Sequence, residues 1–556
     1  MRYRLAALAL AVSTPALAAH DLVISNGIVV DGSGAPRFEG WVAVDADRIA
    51  AVGRGKPPAA KRVVDAGGQV IAPGFVNMLS WATESLLVDG RGLSDLKQGV
   101  TLEVMGEGWS MGPLNPAMRA DMLEKQSTLK FDVSWTTLGE YLQHLETKGI
   151  APNVASFVGA TSVRIHELGE GDVDPSPDQL ARMQALVRQA MNEGAMGVGS
   201  SLIYAPASYA ETPELVALAT ASAKCAGSYI SHMRSEGKNI GKAIDELVTI
   251  ARESGGPAEI YHLKLSGRDN WGKRDAVLAQ IAAAKAEGLD IRANMYVYPA
   301  GATGLDASMP TWVQAGGDKA WVKRLKDPEI RARVLAEMRA EPVGWENLYR
   351  GAGDPSRLIF TDFRNPKLRP LIGKTLAEVS TMRGTSPEDT MIDLVIEDES
   401  RVGTVYFLMS EENVEAFTRL PWVTLGSDAG APAAEGVFLE SSTHPRAYGN
   451  VARFLGHYVR DRQVDTLEGA VHRLSGLPAA RLKLADRGTL APGKAADIVL
   501  FDPAKISDPA DFQRPQQYAT GVSDVFVNGV QVLKGGEPTG ATPGRFLKGP
   551  GFGRCP

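Results

Sequence analysis

Through its central part the chain alternates short apolar runs with Ala/Leu-rich amphipathic stretches, and this limits it to few folds. Runs at 70–76, 100–105, 154–159, 196–199, 227–231, 259–264, 291–298 and 422–427 have strand length, and the segments between them carry apolar residues at helical spacing. Strands joined through helices pair in parallel. Eight such units in succession predict an α/β fold: a closed (β/α)8, TIM-like barrel whose chemistry lies at the C-terminal ends of its strands. The seventh and eighth strands are separated by about 120 residues, too many for a structureless loop. An inserted lid lobe over the barrel mouth is expected at about 300–420.

Both chain ends are patterned differently. Segments 19–72 and 485–540 consist of short apolar runs and turns, predicting one β-sandwich domain built from both ends, with the barrel spanning 73–484. Asn26-Gly27 and Asn528-Gly529 each lie between apolar runs and read as hairpin turns. Residues 541–556 read as a flexible tail. At the start, Arg2 and Arg4 precede an apolar run, and Ala16-Leu17-Ala18 is a small-x-small cleavage site. Residues 1–18 therefore read as a signal peptide, implying a periplasmic or secreted protein. That apolar run is too short to span a bilayer. Cys225 and Cys555 are the only cysteines, and both read as free thiols. The net charge of −6 and the lack of a long Lys/Arg run argue against nucleic acid or a membrane surface as partner.

Residues able to do chemistry recur at predicted strand ends: Glu107, His232, His262 and Asp428. The chain has eight histidines, and two of them close consecutive predicted strands. The plainer roles are a loop-capping carboxylate for Glu107 and hydrogen-bonded core histidines for His232 and His262. For Asp428 the competing role is a helix N-cap. Lys264 and Arg446 suit a substrate carboxylate, which a guanidinium fork holds best. His444 reads as structural beside Pro445, and Trp81, Trp109 and Trp312 as lining the barrel mouth. A serine nucleophile elbow, a Cys–His pair and a phosphate-cradling Gly-rich motif are all missing.

Several longer blocks are specific. Glu193-Gly194-Ala195-Met196-Gly197-Val198-Gly199-Ser200-Ser201-Leu202-Ile203-Tyr204-Ala205-Pro206, His232-Met233-Arg234-Ser235-Glu236, His262-Leu263-Lys264, Tyr296-Val297-Tyr298 and His444-Pro445-Arg446-Ala447-Tyr448-Gly449 resemble blocks of the N-acyl-D-amino-acid deacylase (D-aminoacylase) family of metal-dependent amidohydrolases. The resemblance runs from about residue 21 to 535. It implies a β-sandwich and metal-bearing barrel that hydrolyses an N-acyl amino acid, with a tight zinc on two histidines, matching His232 and His262, and a cysteine after the second strand. Asp428 would match the general base, and Lys264, Arg446 and Tyr296 or Tyr298 the groups on the substrate carboxylate.

The chain departs from that pattern twice. After Ile71-Ala72-Pro73-Gly74-Phe75-Val76 the family has Asp-x-His-x-His, which holds a second metal; here the sequence is Asn77-Met78-Leu79-Ser80-Trp81, and neither Leu79 nor Trp81 offers a lone pair. The family's Gly-Asn-Cys-Gly block is Gly106-Glu107-Gly108-Trp109, so Gly108 replaces the cysteine. The expectation is one Zn²⁺ per chain on His232, His262 and Glu107, hydrolysing the amide of an N-acyl (D-)amino acid or small dipeptide by metal-activated water. Two other readings stay open: a cyclic amide or lactone hydrolase, and a non-catalytic carboxylate-binding barrel that has lost its metal.

Overall fold

The structure is a computed structural model describing residues 19–556; the expected signal peptide, 1–18, lies outside the described residues. Eight staves form the barrel: β1 (Phe75–Asn77), β2 (Val100–Met105), β3 (Asn153–Ser156, continued by Val158–Gly159), β4 (Gly197–Ser201), β5 (Ser228–His232), β6 (Ala258–Ile260), β7 (Ile291–Met295) and β8 (Val423–Leu425). Neighbours pair in parallel. The ring closes where Met78 N donates to Leu425 O (3.0 Å) and Asp428 N to Leu79 O (2.8 Å).

The run at 70–76 is two strands. Val70–Pro73 belongs to the terminal sheet, and the barrel begins at Phe75. Gly74 is the hinge, since a Cβ there would stand 2.2 Å from Thr101 Oγ1. The chain ends form one nine-stranded sheet, in which Val70–Pro73 lies between Ile498–Phe501 and His20–Val29. Asn528-Gly529 is the expected tight turn, with both residues at positive φ. Asn26-Gly27 is not: His20–Val29 runs through it as one strand with an irregularity there. Before that point the strand pairs with Ala60–Asp65, and after it with Val70–Pro73. Partners from two other segments thus turn a local hairpin signal into a bend.

Between β7 and β8 the insertion holds a three-stranded antiparallel sheet (Gly301–Gly304, Leu358–Asp362, Gly403–Tyr406) and several helices, and it contributes Arg401 and Tyr406 to the barrel mouth. The tail is packed rather than flexible: Phe546 and Leu547 are buried, and Pro543 and Phe546 bridge to Ile150 and Val154 beside β3. Its glycines permit backbone contact, since a Cβ on Gly544 would meet Pro152 O at 2.0 Å. The tail carries Cys555 to Cys225 at the end of the helix Thr212–Lys224, and the two form a disulfide rather than free thiols. Among the described residues no helix is long and apolar enough to cross a membrane.

Candidate metal centre

Glu107 follows β2 between two glycines with φ of 103° and 69°. A Cβ on Gly106 would meet Phe157 O at 2.2 Å, and one on Gly108 would meet Ser201 Oγ at 2.1 Å. The loop therefore passes hard against the neighbouring staves and directs Glu107 into the barrel. The same contact leaves no room for a cysteine at Gly108. His232 ends β5; His262 follows β6 at φ 36°, and Asp428 follows β8 at φ 52°. Left-handed backbone at non-glycine residues costs roughly 1–3 kcal/mol and clusters at functional sites. The amides of both residues are held here, His262 N donating to Asn294 Oδ1 (2.8 Å) and Asp428 N to Leu79 O (2.8 Å).

The three expected ligands converge. Glu107 Oε1 lies 2.8 Å from His262 Nε2 and 3.1 Å from His232 Nδ1, and one donor atom from each residue falls within 4.8 Å of the others. All three are buried, and His232 Nε2 has no hydrogen-bond partner among the described residues. Two imidazoles and one carboxylate form a donor set that suits a catalytic zinc with an open position. These residues fit the metal.

Glu236, which the sequence reading missed, completes the arrangement. Its Oε1 stands 2.9 Å from His262 Nδ1 and 2.5 Å from Lys264 Nζ, and Nζ lies 2.6 Å from His262 Nδ1. A carboxylate on the far ring nitrogen fixes a ligating histidine's orientation. Its one sequence signal was its place in the His232–Glu236 block. Lys264, expected on the substrate, is thus already ion-paired. Burial would push the Glu236 carboxyl up, but Lys264, His232 and His262 hold it well below the usual range. Burial opposes Glu107 likewise, and the two histidines win, keeping it ionised. Burial and Lys264 work against charge on His262, yet Glu236 and Glu107 push it up to about 9 without metal.

The segment 77–81, where the resemblance would put His-x-His, is held by its own contacts. Leu79 is buried, and the Trp81 indole N–H reaches Glu107 Oε2 (2.9 Å) and Asp428 Oδ1 (3.1 Å). Asn77 accepts from Ser427 N (2.8 Å) and donates to Asp95 Oδ2 (3.0 Å) and Glu103 Oε2 (3.1 Å). Burial pushes Glu103 up to about 7, and burial together with Glu103 raises Asp95 well above its usual range. A carboxyl whose pKa is higher folded than unfolded contributes stability below its unfolded value and loses it as pH rises through the folded one. Between pH 4.5 and about 7 the protein should therefore lose stability. Glu103→Gln should flatten that slope and leave the variant more stable at pH 8 by roughly 1–3 kcal/mol, with little change near pH 4.5. Urea unfolding at both pH values reads this directly.

Asp428 and Arg446 form the other half. Arg446 Nη1 lies 2.9 Å from Asp428 Oδ2, and its guanidinium stacks 4.5 Å above the Tyr296 ring. Burial raises the Asp428 carboxyl above its usual range; Arg446 opposes this and Glu107 adds to it. Arg446 Nε is buried without a hydrogen-bond partner among the described residues. A cavity of about 330 Å³ brings Glu107, His232, His262, Asp428, Arg446 and Tyr296 onto one surface, with Lys264. Tyr298 does not face it: its hydroxyl donates to Asp508 Oδ2 (3.0 Å). Its neighbour in sequence, Tyr296, is the tyrosine at the site. His444 is structural, with Nε2 donating to Ala300 O (2.9 Å) and Nδ1 accepting from Arg446 N (2.9 Å).

Residues 62–533 match the model of the amidohydrolase family. The chain belongs to that family. Among its relatives, the D-aminoacylase of Alcaligenes xylosoxydans xylosoxydans is 33% identical over 95% of this chain and 97% of its own length. A solved D-aminoacylase, described as having a binuclear metal centre with one-metal activation and second-metal attenuation, aligns at 32% identity and TM-score 0.78 over 95% of this chain and all of its own. The N-acyl-D-glutamate deacylase of Bordetella bronchiseptica, solved with zinc and a phosphonate mimic of the tetrahedral intermediate, aligns at 27% identity and TM-score 0.79 over 96% and all of its own chain. This amidohydrolase has their barrel and terminal sheet.

Proposed function

We propose that this chain is a single-zinc amidohydrolase that cleaves the amide of an N-acyl amino acid, with the D-enantiomer favoured by its relatives. The observation that carries the reading is the convergence of Glu107, His232 and His262 on one buried point beside Asp428. Glu107, His232 and His262 would hold the ion, which supplies Lewis acidity toward the carbonyl oxygen and makes water a stronger acid. Asp428 takes the proton of the attacking water and returns it to the departing amine. Arg446, whose Nε has no hydrogen-bond partner among the described residues, donates to the substrate carboxylate, with the Tyr296 ring beneath the guanidinium. Glu236 and Lys264 keep His262 in register.

The N-terminal Arg2/Arg4, apolar run and Ala16-Leu17-Ala18 support export to the periplasm or beyond, as does a disulfide, which persists in oxidising compartments. Elemental analysis should give one zinc per chain, and zinc-loaded protein should release free amino acid from a panel of N-acyl-D- and N-acyl-L-amino acids. No turnover of either series would refute the deacylase reading and leave the cyclic amide or lactone as substrate. No stoichiometric metal would favour the non-catalytic barrel.

A further inference from the structure

The catalytic cavity is the inner part of a larger space. Trp81, Trp109, Tyr204, Arg401 and Thr443 line both it and an outer cavity of about 1060 Å³. The inner 330 Å³ matches the low end of small-molecule pockets, enough for an amino acid and its amide; the outer one alone matches the top of that range. An acetyl or formyl group would leave it almost empty.

Much of the outer wall is apolar. Met111, Leu114, Met118, Met122, Trp321 and Phe438 line it. Met118 and Met122, four residues apart, place one side of the helix Pro116–Glu124 along the cavity, and Leu114 lines it just before the helix begins. No residue of this helix is fully buried, and its two methionines are half-buried at the edge of the core, where they also line the cavity. Methionine is the side chain that best adapts to apolar ligands of different length.

Charge fixes the orientation. At the outer rim Lys125 is held by Asp121 (2.8 Å) and Asp318 (3.2 Å), with Glu170 at 3.8 Å, an acidic surround that repels a carboxylate. At the junction, Arg401 is neutralised by Asp306 (2.8 Å). In the inner cavity Arg446 Nη1 pairs with Asp428 (2.9 Å), and its Nε is buried with no hydrogen-bond partner among the described residues, which leaves a guanidinium donor there for a carboxylate. The carboxylate end therefore points inward and the acyl end outward.

Resting on the deacylase reading, we infer that the preferred substrates are N-acyl amino acids with a long hydrocarbon acyl chain, housed in the outer cavity. For zinc-loaded enzyme and one amino acid, kcat/KM should rise about two- to fourfold per added methylene from the acetyl to about the decanoyl compound. Met118→Asp and Met122→Asp, on a helix with no buried residue, should lower the dodecanoyl-to-acetyl ratio at least tenfold. Calorimetric binding of N-dodecanoyl and N-acetyl amino acid to zinc-loaded Asp428→Asn separates this from catalysis: the dodecanoyl compound should bind at least tenfold tighter, and Met118→Asp should abolish the difference. If nothing is hydrolysed but this difference holds, the deacylase reading fails and the acyl site stands. A flat or falling chain-length series, equal binding of the two compounds, or discrimination that follows the amino-acid side chain overturns the inference.

Discussion

Glu107→Gln should yield a folded protein that keeps almost no zinc and loses at least about 10³ in kcat/KM, more than the 10–100-fold typical when only a group behind a ligand is removed. Glu107 reaches both histidines through one oxygen, Oε1, at 2.8 and 3.1 Å. Without it two imidazoles remain, one protein ligand fewer than a catalytic zinc normally has. A glutamine is nearly isosteric, and its carbonyl can still accept from the Trp81 indole that now reaches Oε2, so the fold has no reason to fail. Elemental analysis after gel filtration, with a thermal melt alongside, measures both quantities. Stoichiometric zinc in the folded variant would place the metal elsewhere. Restoring the family's cysteine should not rescue it: a side chain at Gly108 meets Ser201 Oγ at 2.1 Å and Ser201 N at 2.9 Å, on a backbone already at positive φ. The loop's close approach to Ser201 suits a glycine at 108, so a cysteine cannot be placed there by a single exchange.

The barrel was legible because apolar runs and helical periodicity are local properties of the chain, and closure follows once eight units alternate. His232, His262, Asp428 and Glu107 were legible for a related reason, since the end of a predicted strand has a fixed meaning in this architecture. What was missed depends on contacts between distant segments. The bend at Asn26-Gly27 exists because Ala60–Asp65 and Val70–Pro73 claim different halves of one strand. The Cys225–Cys555 bond spans 330 residues, and no spacing rule reaches that far. The tail's glycines looked like flexibility and serve close backbone packing instead. Glu236 was in plain view, but nothing local shows that a carboxylate four residues past His232 turns toward His262. Tyr296 lines the catalytic cavity and Tyr298 does not, because the Tyr298 hydroxyl is tied to Asp508, a contact between distant segments.

Asp428→Asn should leave zinc content and KM nearly unchanged while kcat falls by about 10²–10⁴, the range for removing a positioned general acid–base group. The indole of Trp81 binds Glu107 and Asp428 together, so the two carboxylates look alike in position, yet their surroundings separate them. Glu107 is held ionised by two histidines; Asp428 is raised by burial, with Arg446 holding it back. A ligand must stay charged and a proton carrier must be able to change charge, so these opposite shifts divide the labour between them. Because the working form of Asp428 is the carboxylate, activity falls as pH drops through its raised pKa, and this acidic limb should vanish in Asp428→Asn. Zinc titration and the pH dependence of kcat/KM for the two variants test the division. If Asp428→Asn loses its metal as completely as Glu107→Gln, Asp428 is a fourth ligand and the proton must travel by another group.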